Sequence, residues 1–212
     1  MIVVFSIHAD DACFSVGEYM AQNCDEPMLV VTLCGGVPPN ASDEDRLWQE
    51  ALNVEGDKAY EHLGADHMPF PIVFDGKWNA QSEAQVRLKL ADLVDAYVKP
   101  SVGASAFLVP VGIHHPDHVR MGPMLLNQLL IKTKARIVLY EDLPYRVMYP
   151  EEAAILRDAL FARFGRNLEP AAGAGFLTRK LEACAMFESQ WSPPEGDAPR
   201  CCSAYERAWW VR

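Results

Sequence analysis

Residues 2–7 read IVVFSI, a nearly apolar run without polar alternation. A strand of that kind must hide both faces, as in a parallel sheet covered by helices on each side. The run then gives way to His8-Ala9-Asp10-Asp11. Taking a carboxylate out of water is unfavourable unless a positive charge or a metal meets it, so these aspartates either leave the strand or face a cation.

The same alternation continues along the chain. Apolar residues at three-to-four spacing predict helices over about 12–23, 43–63, 84–98, 122–133, 151–164 and 178–187, while apolar runs predict strands over 28–33, 68–74, 106–113 and 135–140. Ser42, with acidic residues after it, is suited to cap the second helix, and Gly64 to end it. Pro69 and Pro71 make the third strand an edge or irregular one. Strands alternating with helices imply an α/β fold with an open, mostly parallel central sheet, here expected as one domain over residues 1–212. Ligands of such sheets bind beyond the carboxyl ends of the strands. One polar cluster, His8 to Asp11, lies at such an end, and a second, His114-His115-Pro116-Asp117-His118, follows the run 106–113.

Charge and cysteine usage narrow the partners. Nineteen basic residues against 29 acidic ones give a net charge of −10, which argues against nucleic acid as a partner. No apolar run approaches a membrane span, and no basic stretch precedes the first one, so a cytoplasmic location without a span is expected. The cysteines at 13, 24, 34, 184, 201 and 202 form no CxxC pair, and reduced thiols are the expectation.

Imidazoles and carboxylates without thiolate suit a mononuclear catalytic zinc, which takes three protein ligands and leaves a position for water. Iron or another divalent ion fits the same donors. At this point the chain resembles the zinc-dependent de-N-acetylases of the LmbE or PIG-L type, whose signatures are HPDD near the N-terminus and HxDH later. The matching residues are His8-Ala9-Asp10-Asp11 and His115-Pro116-Asp117-His118, supported by EGDKAYEHLGA at 55–65, Asp75-Gly76, YEDLPY at 140–145, ESQW at 188–191 and YERAW at 205–209.

The resemblance implies a Rossmann-like three-layer fold and a hydrolase that removes an N-acyl group, foremost acetyl, from a small-molecule amino sugar or its conjugate. It makes His8, Asp11 and His118 the metal ligands and leaves Asp10 as general base. His115 is expected to act as a positive donor to the oxyanion, with Asp117 orienting its imidazole. Ala9 replaces the usual proline, and Ala12 stands where many relatives carry glutamate. Many relatives also place a substrate-contacting arginine three residues before the glutamate matching Glu55. Leu52 occupies that position here, and Arg46 is the candidate to replace it.

Other residues carry two readings. Asp75 is either a turn former or a contact to a substrate hydroxyl, and His114 a structural or pocket-wall histidine assigned to substrate binding. His62 and His67 read as surface residues. Trp191, Trp209 and Trp210 read as docking the tail on the core rather than stacking on sugar. Cys201-Cys202 reads as two free thiols in a loop, and segments 36–50 and 188–205 as specificity loops. Two alternatives remain: a two-metal phosphoesterase, which needs further ligands, and a catalytically idle binding protein.

Overall fold

The computed structural model describes residues 1–37, 40–72, 78–164, 168–170, 175–190 and 206–211. Asp75, Trp191, Cys201 and Cys202 lie outside them, as does most of the segment 188–205. In chain order the elements are β1 (Ile2–Ser6), α1 (Asp11–Gln22), β2 (Met28–Thr32), α2 (Asp43–Leu63), β3 (Asp66–Pro69), α3 (Ala80–Tyr97), β4 (Ala106–Pro110), α4 (Pro116–Lys132), β5 (Arg136–Tyr140), α5 (Tyr145–Met148), α6 (Pro150–Phe164), β6 (Leu168–Pro170), α7 (Leu177–Cys184) and β7 (Ala208–Val211).

The sheet order is β3-β2-β1-β4-β5-β7-β6. Strands β1 to β5 run parallel, with Ile2 opposite Met28 on one side and Ala106 on the other, while β7 lies antiparallel between β5 and β6. The apolar first run explains this topology, because alternate side chains of the central strands feed two cores. Ile2, Val4, Ala106 and Leu108 pack with α1, α2 and α7. Val3, Phe5, Phe107 and Val109 pack on the other face with α3 and α4. Helices therefore cover both faces, giving the three layers expected.

Local signals set most boundaries. Ser42 and Asp45 form a reciprocal capping box at the start of α2, and Gly64 closes that helix at φ 84, a left-handed conformation that favours glycine. The third strand covers Asp66–Pro69 rather than 68–74, at the sheet edge where its proline is tolerated. Helix α3 begins at Ala80, earlier than its apolar spacing predicts, because Asn79 and Ser82 build a capping box there. Helix α4 also begins earlier, at Pro116, where proline sits in the first turn and the His115 side chain accepts from the backbone as N-cap. The short elements α5, β6 and β7 carry too few residues for periodicity to show. Trp209 and Trp210 do dock the tail: both lie on β7, where Trp210 packs edge-on to Tyr19 at 6.4 Å and under the Arg136 guanidinium at 4.8 Å.

Among the described residues, no helix is long and apolar enough to cross a membrane. The reading of His67 as a surface residue is overturned. Its side chain is 1% exposed, bonded to Thr32 Oγ1 at 2.8 Å and Asp57 Oδ1 at 2.7 Å, because β3 presses the ring against α2 and Tyr60.

Candidate metal centre

The chain leaves β1 outward to β2 and β3, then returns to β4 on the other side of β1, so the order reverses between β1 and β4. A crevice opens beyond the carboxyl ends of two strands whose connections depart in opposite directions. His8, Asp10 and Asp11 follow β1; His114, His115, Asp117 and His118 follow β4.

Three donor atoms meet there. His8 Nδ1 lies 3.3 Å from Asp11 Oδ2, His118 Nε2 lies 3.1 Å from the same oxygen, and the two imidazole nitrogens are 3.2 Å apart. Ligands spaced tetrahedrally about 2.0–2.1 Å from a zinc ion stand roughly 3.3–3.4 Å from one another, so the triangle fits such an ion. Each histidine is held by a carboxylate on its other nitrogen. His118 Nδ1 pairs with Asp142 Oδ1 at 2.7 Å, and His8 Nε2 faces Asp117 Oδ2 at 3.3 Å. Such carboxylate–histidine pairs fix ring orientation and raise ligand basicity.

The supports are themselves anchored. Asp142 Oδ2 accepts from the Gly112 and Ile113 N–H groups at 3.0 and 3.2 Å, tying the end of β5 to the loop after β4. Gly112 turns that loop at φ 85, and a Cβ there would lie 2.3 Å from the His118 carbonyl oxygen. Asp117 Oδ1 accepts from Trp78 Nε1 at 2.8 Å, and the His8 N–H donates to Asp11 Oδ2 at 2.6 Å.

The electrostatics favour a cation. Burial alone would lower the pKa of His8, yet Asp11 and Asp117 raise it to about 9. Against the same burial, Asp11 and Asp142 lift His118 well above the ordinary histidine value. Burial also opposes ionisation of Asp11, but His118 and His8 hold its carboxyl far below the usual range. Two imidazoles driven toward positive charge, nose to nose around a carboxylate, describe a pocket that stabilises added positive charge.

Asp10 differs from its neighbour. It is the N-cap of α1, yet its side chain makes no capping hydrogen bond, and burial with the adjacent Asp11 charge pushes its carboxyl up to about 7. His115 Nδ1 accepts from the Asp117 N–H at 3.3 Å. Burial and the His8 charge lower the His115 pKa, favouring the neutral ring. Asp117 Oδ2 lies 3.9 Å from His115 Nδ1, farther than from His8.

Of the expected substrate-side residues, His114 and Arg46 are among those described. His114 turns toward α6, pairing with Glu152 at 3.2 Å and stacking on Tyr149. Arg46 lies in the first turns of α2, half-buried, and Leu52 belongs to the core. Sequence reasoning missed Asp142, whose signal was its place just past the end of β5, and Tyr145, whose ring lies 5.0 Å from that of His118 and 6.0 Å from that of His115. Cys34 also approaches, grouped with His8 and Asp117.

The family model for the GlcNAc-PI de-N-acetylases, PIG-L, matches residues 3–128. The fold is similar to that of teicoplanin deacetylase Orf2 in a zinc-inhibited form, with TM-score 0.73, 18% identity, 99% of this chain and 96% of that one covered. The A40926 pseudoaglycone deacetylase Dbv21 gives TM-score 0.71 at 20% identity over 99% and 96% of the two chains. An N,N'-diacetylchitobiose deacetylase from Pyrococcus horikoshii gives 0.57 at 14% identity over 92% and 71%. No curated protein matches the sequence.

Proposed function

The chain belongs to the PIG-L family of de-N-acetylases, and from that premise we propose that it is a metal-dependent hydrolase removing an N-acyl group, foremost acetyl, from an amino sugar or its conjugate. The observation that carries the reading is the triangle of His8 Nδ1, Asp11 Oδ2 and His118 Nε2, with edges of 3.1 to 3.3 Å, beside the uncommitted carboxylate of Asp10.

His8, Asp11 and His118 would hold the ion, with zinc the first candidate and iron or another divalent metal next. Bound there, a divalent ion supplies a Lewis acid that acidifies water and polarises the scissile amide carbonyl. Asp10 takes a proton from the attacking water at its carboxylate and later returns it to the departing amine nitrogen. Its raised pKa suits both halves of that exchange, since a group near 7 accepts and releases a proton at neutral pH.

His115 is the donor to the amide oxygen as that atom gains negative charge. Because its Nδ1 accepts a backbone N–H, the ring proton sits on Nε2, so the donor is a neutral Nε2–H rather than the imidazolium expected from sequence. Asp117 orients His8 and, at longer range, His115. Asp75, Arg46 and His114 are assigned to the sugar and its conjugate.

The test is release of free amine from N-acetylglucosamine conjugates by wild type and Asp10→Ala. Expected is amine release by wild type and its loss, by a factor of about 10²–10⁴, in the variant, with metal content unchanged. Turnover of phosphate esters with two metals per chain would move the protein to the phosphoesterases, and metal or sugar binding without any turnover to the idle scaffold.

A further inference from the structure

Cys34 stands at the crevice with no part in the proposed deacetylation. It lies just past the end of β2, where its N–H donates to the Ile7 carbonyl at 2.8 Å and its backbone bridges Pro71, so it is pinned beside the residue that precedes His8. One ligand atom each of Cys34, His8 and Asp117 lie within 4.8 Å of one another, and His8 Nε2 stands 3.3 Å from Asp117 Oδ2. The first triangle takes His8 through its other nitrogen, Nδ1.

An imidazole, a carboxylate and a thiol together suit zinc and chemically similar ions, since thiolate disfavours magnesium and calcium. In a tetrahedral site the N···O edge is roughly 3.3–3.4 Å and the edges to sulfur roughly 3.5–3.6 Å. The His8–Asp117 edge already has that length, and those to the thiol close by about 1 Å through a turn about χ1. Trp78 Nε1 holds Asp117 Oδ1 at 2.8 Å, which leaves Oδ2 turned to His8. The surrounding field is negative. Burial, with the charges of Asp117 and Asp11, pushes the Cys34 thiol well above its ordinary pKa, and the same charges attract a cation that neutralises a thiolate.

We propose that Cys34 Sγ, His8 Nε2 and Asp117 Oδ2 form a second, weaker site for a thiophilic divalent cation such as zinc, filled after the first. It rests on the metal-centre reading, since His8 serves both ions, Nδ1 the first and Nε2 the second. On binding, the Cys34 thiol and the His8 ring each release a proton to water, leaving a thiolate and an imidazolate between two ions. The site is the weaker because two protons must leave and the ions repel each other. Once filled, it draws Asp117 from its support of His8 and sets an ion in the crevice, so excess zinc lowers turnover.

The test is cobalt(II) titration of the metal-free full chain, followed by absorption, for wild type and Cys34→Ser. Expected in wild type are visible d–d bands over the first equivalent and, only beyond it, a near-ultraviolet thiolate-to-cobalt charge-transfer band. Cys34→Ser keeps the first and lacks the second, and thermal melts establish that it folds. Absence of the charge-transfer band from wild type at several equivalents, its persistence in Cys34→Ser, or its arrival with the first equivalent overturns the proposal. Missing visible bands at one equivalent would remove the metal centre and this site with it, so the two failures are read apart.

Turnover gives a second readout. Zinc beyond one equivalent inhibits amine release by wild type, and Cys34→Ser needs at least about tenfold more zinc for the same inhibition, the smallest loss typical of removing even a residue behind a ligand. Equal sensitivity of the two proteins overturns the assignment.

Discussion

Replacing Asp142 by Asn tests how the metal centre is built without touching a ligand. One carboxylate oxygen takes His118 Nδ1 at 2.7 Å and the other takes two backbone N–H groups at 3.0 and 3.2 Å, so both must accept. An amide has only one accepting side. If its oxygen faces the Gly112 and Ile113 N–H groups, its NH₂ faces His118 and drives the imidazole proton onto Nε2, the atom that meets Asp11 and His8. If the amide turns round, two buried N–H donors lose their acceptor, at about 1–3 kcal/mol each. The first arrangement disables a ligand nitrogen and the second loosens the loop that leads into α4, the helix carrying His118.

Removal of a carboxylate behind a metal-bound histidine typically weakens metal binding about 10–100-fold, or roughly 1.4–2.8 kcal/mol. The assay is competition for zinc against a chromophoric chelator, with circular dichroism to establish folding. Asp142→Asn with wild-type zinc affinity and an unchanged melting temperature would refute the argument.

Other perturbations have equally definite outcomes. Gly112→Ala forces a side chain into a left-handed conformation and against the His118 carbonyl; it should destabilise by at least about 1–3 kcal/mol and reduce zinc affinity, read by melting and the same chelator. Glu206→Gln leaves Lys180 buried without its counter-charge and should remove about 3–5 kcal/mol in denaturant titration, whereas an effect under 1 kcal/mol would show that water reaches the pair. Burial, outweighing Asp57, lowers the His67 pKa, so the unfolded chain binds this proton first as pH falls. Stability is then lost from about pH 6.5 down to the depressed folded value, and His67→Gln should flatten the melting temperature between pH 7 and 5. An unchanged slope would place the acid sensitivity elsewhere.

The central architecture was legible because its signals are local. Residues 2–7 and 106–113 are apolar on both faces and stop at polar clusters, which places the sheet, its covering helices and the crevice together. Ser42 and Gly64 marked α2 for the same reason, since a cap needs only a few neighbouring residues. What escaped depends on distant partners. His67 is polar and lies within a short edge strand, and only the packing of β3 against α2 buries it. Asp142 acts through two backbone groups of the loop after β4 and an imidazole of α4, and no spacing in its own segment announces that. Helix α4 was placed late because an imidazole, rather than serine or aspartate, caps it. Strand β7 was read only as a docked tail because four residues are too few to show a period.

The proposed centre is one ion held by three atoms, and anomalous diffraction at the zinc edge from crystals grown with one equivalent of zinc tests it most directly. Expected is a single peak about 2.0–2.1 Å from His8 Nδ1, Asp11 Oδ2 and His118 Nε2, with Asp10 and His115 outside the coordination sphere. A peak bound by Cys34 and Asp117 instead, or two peaks in the crevice, would contradict it.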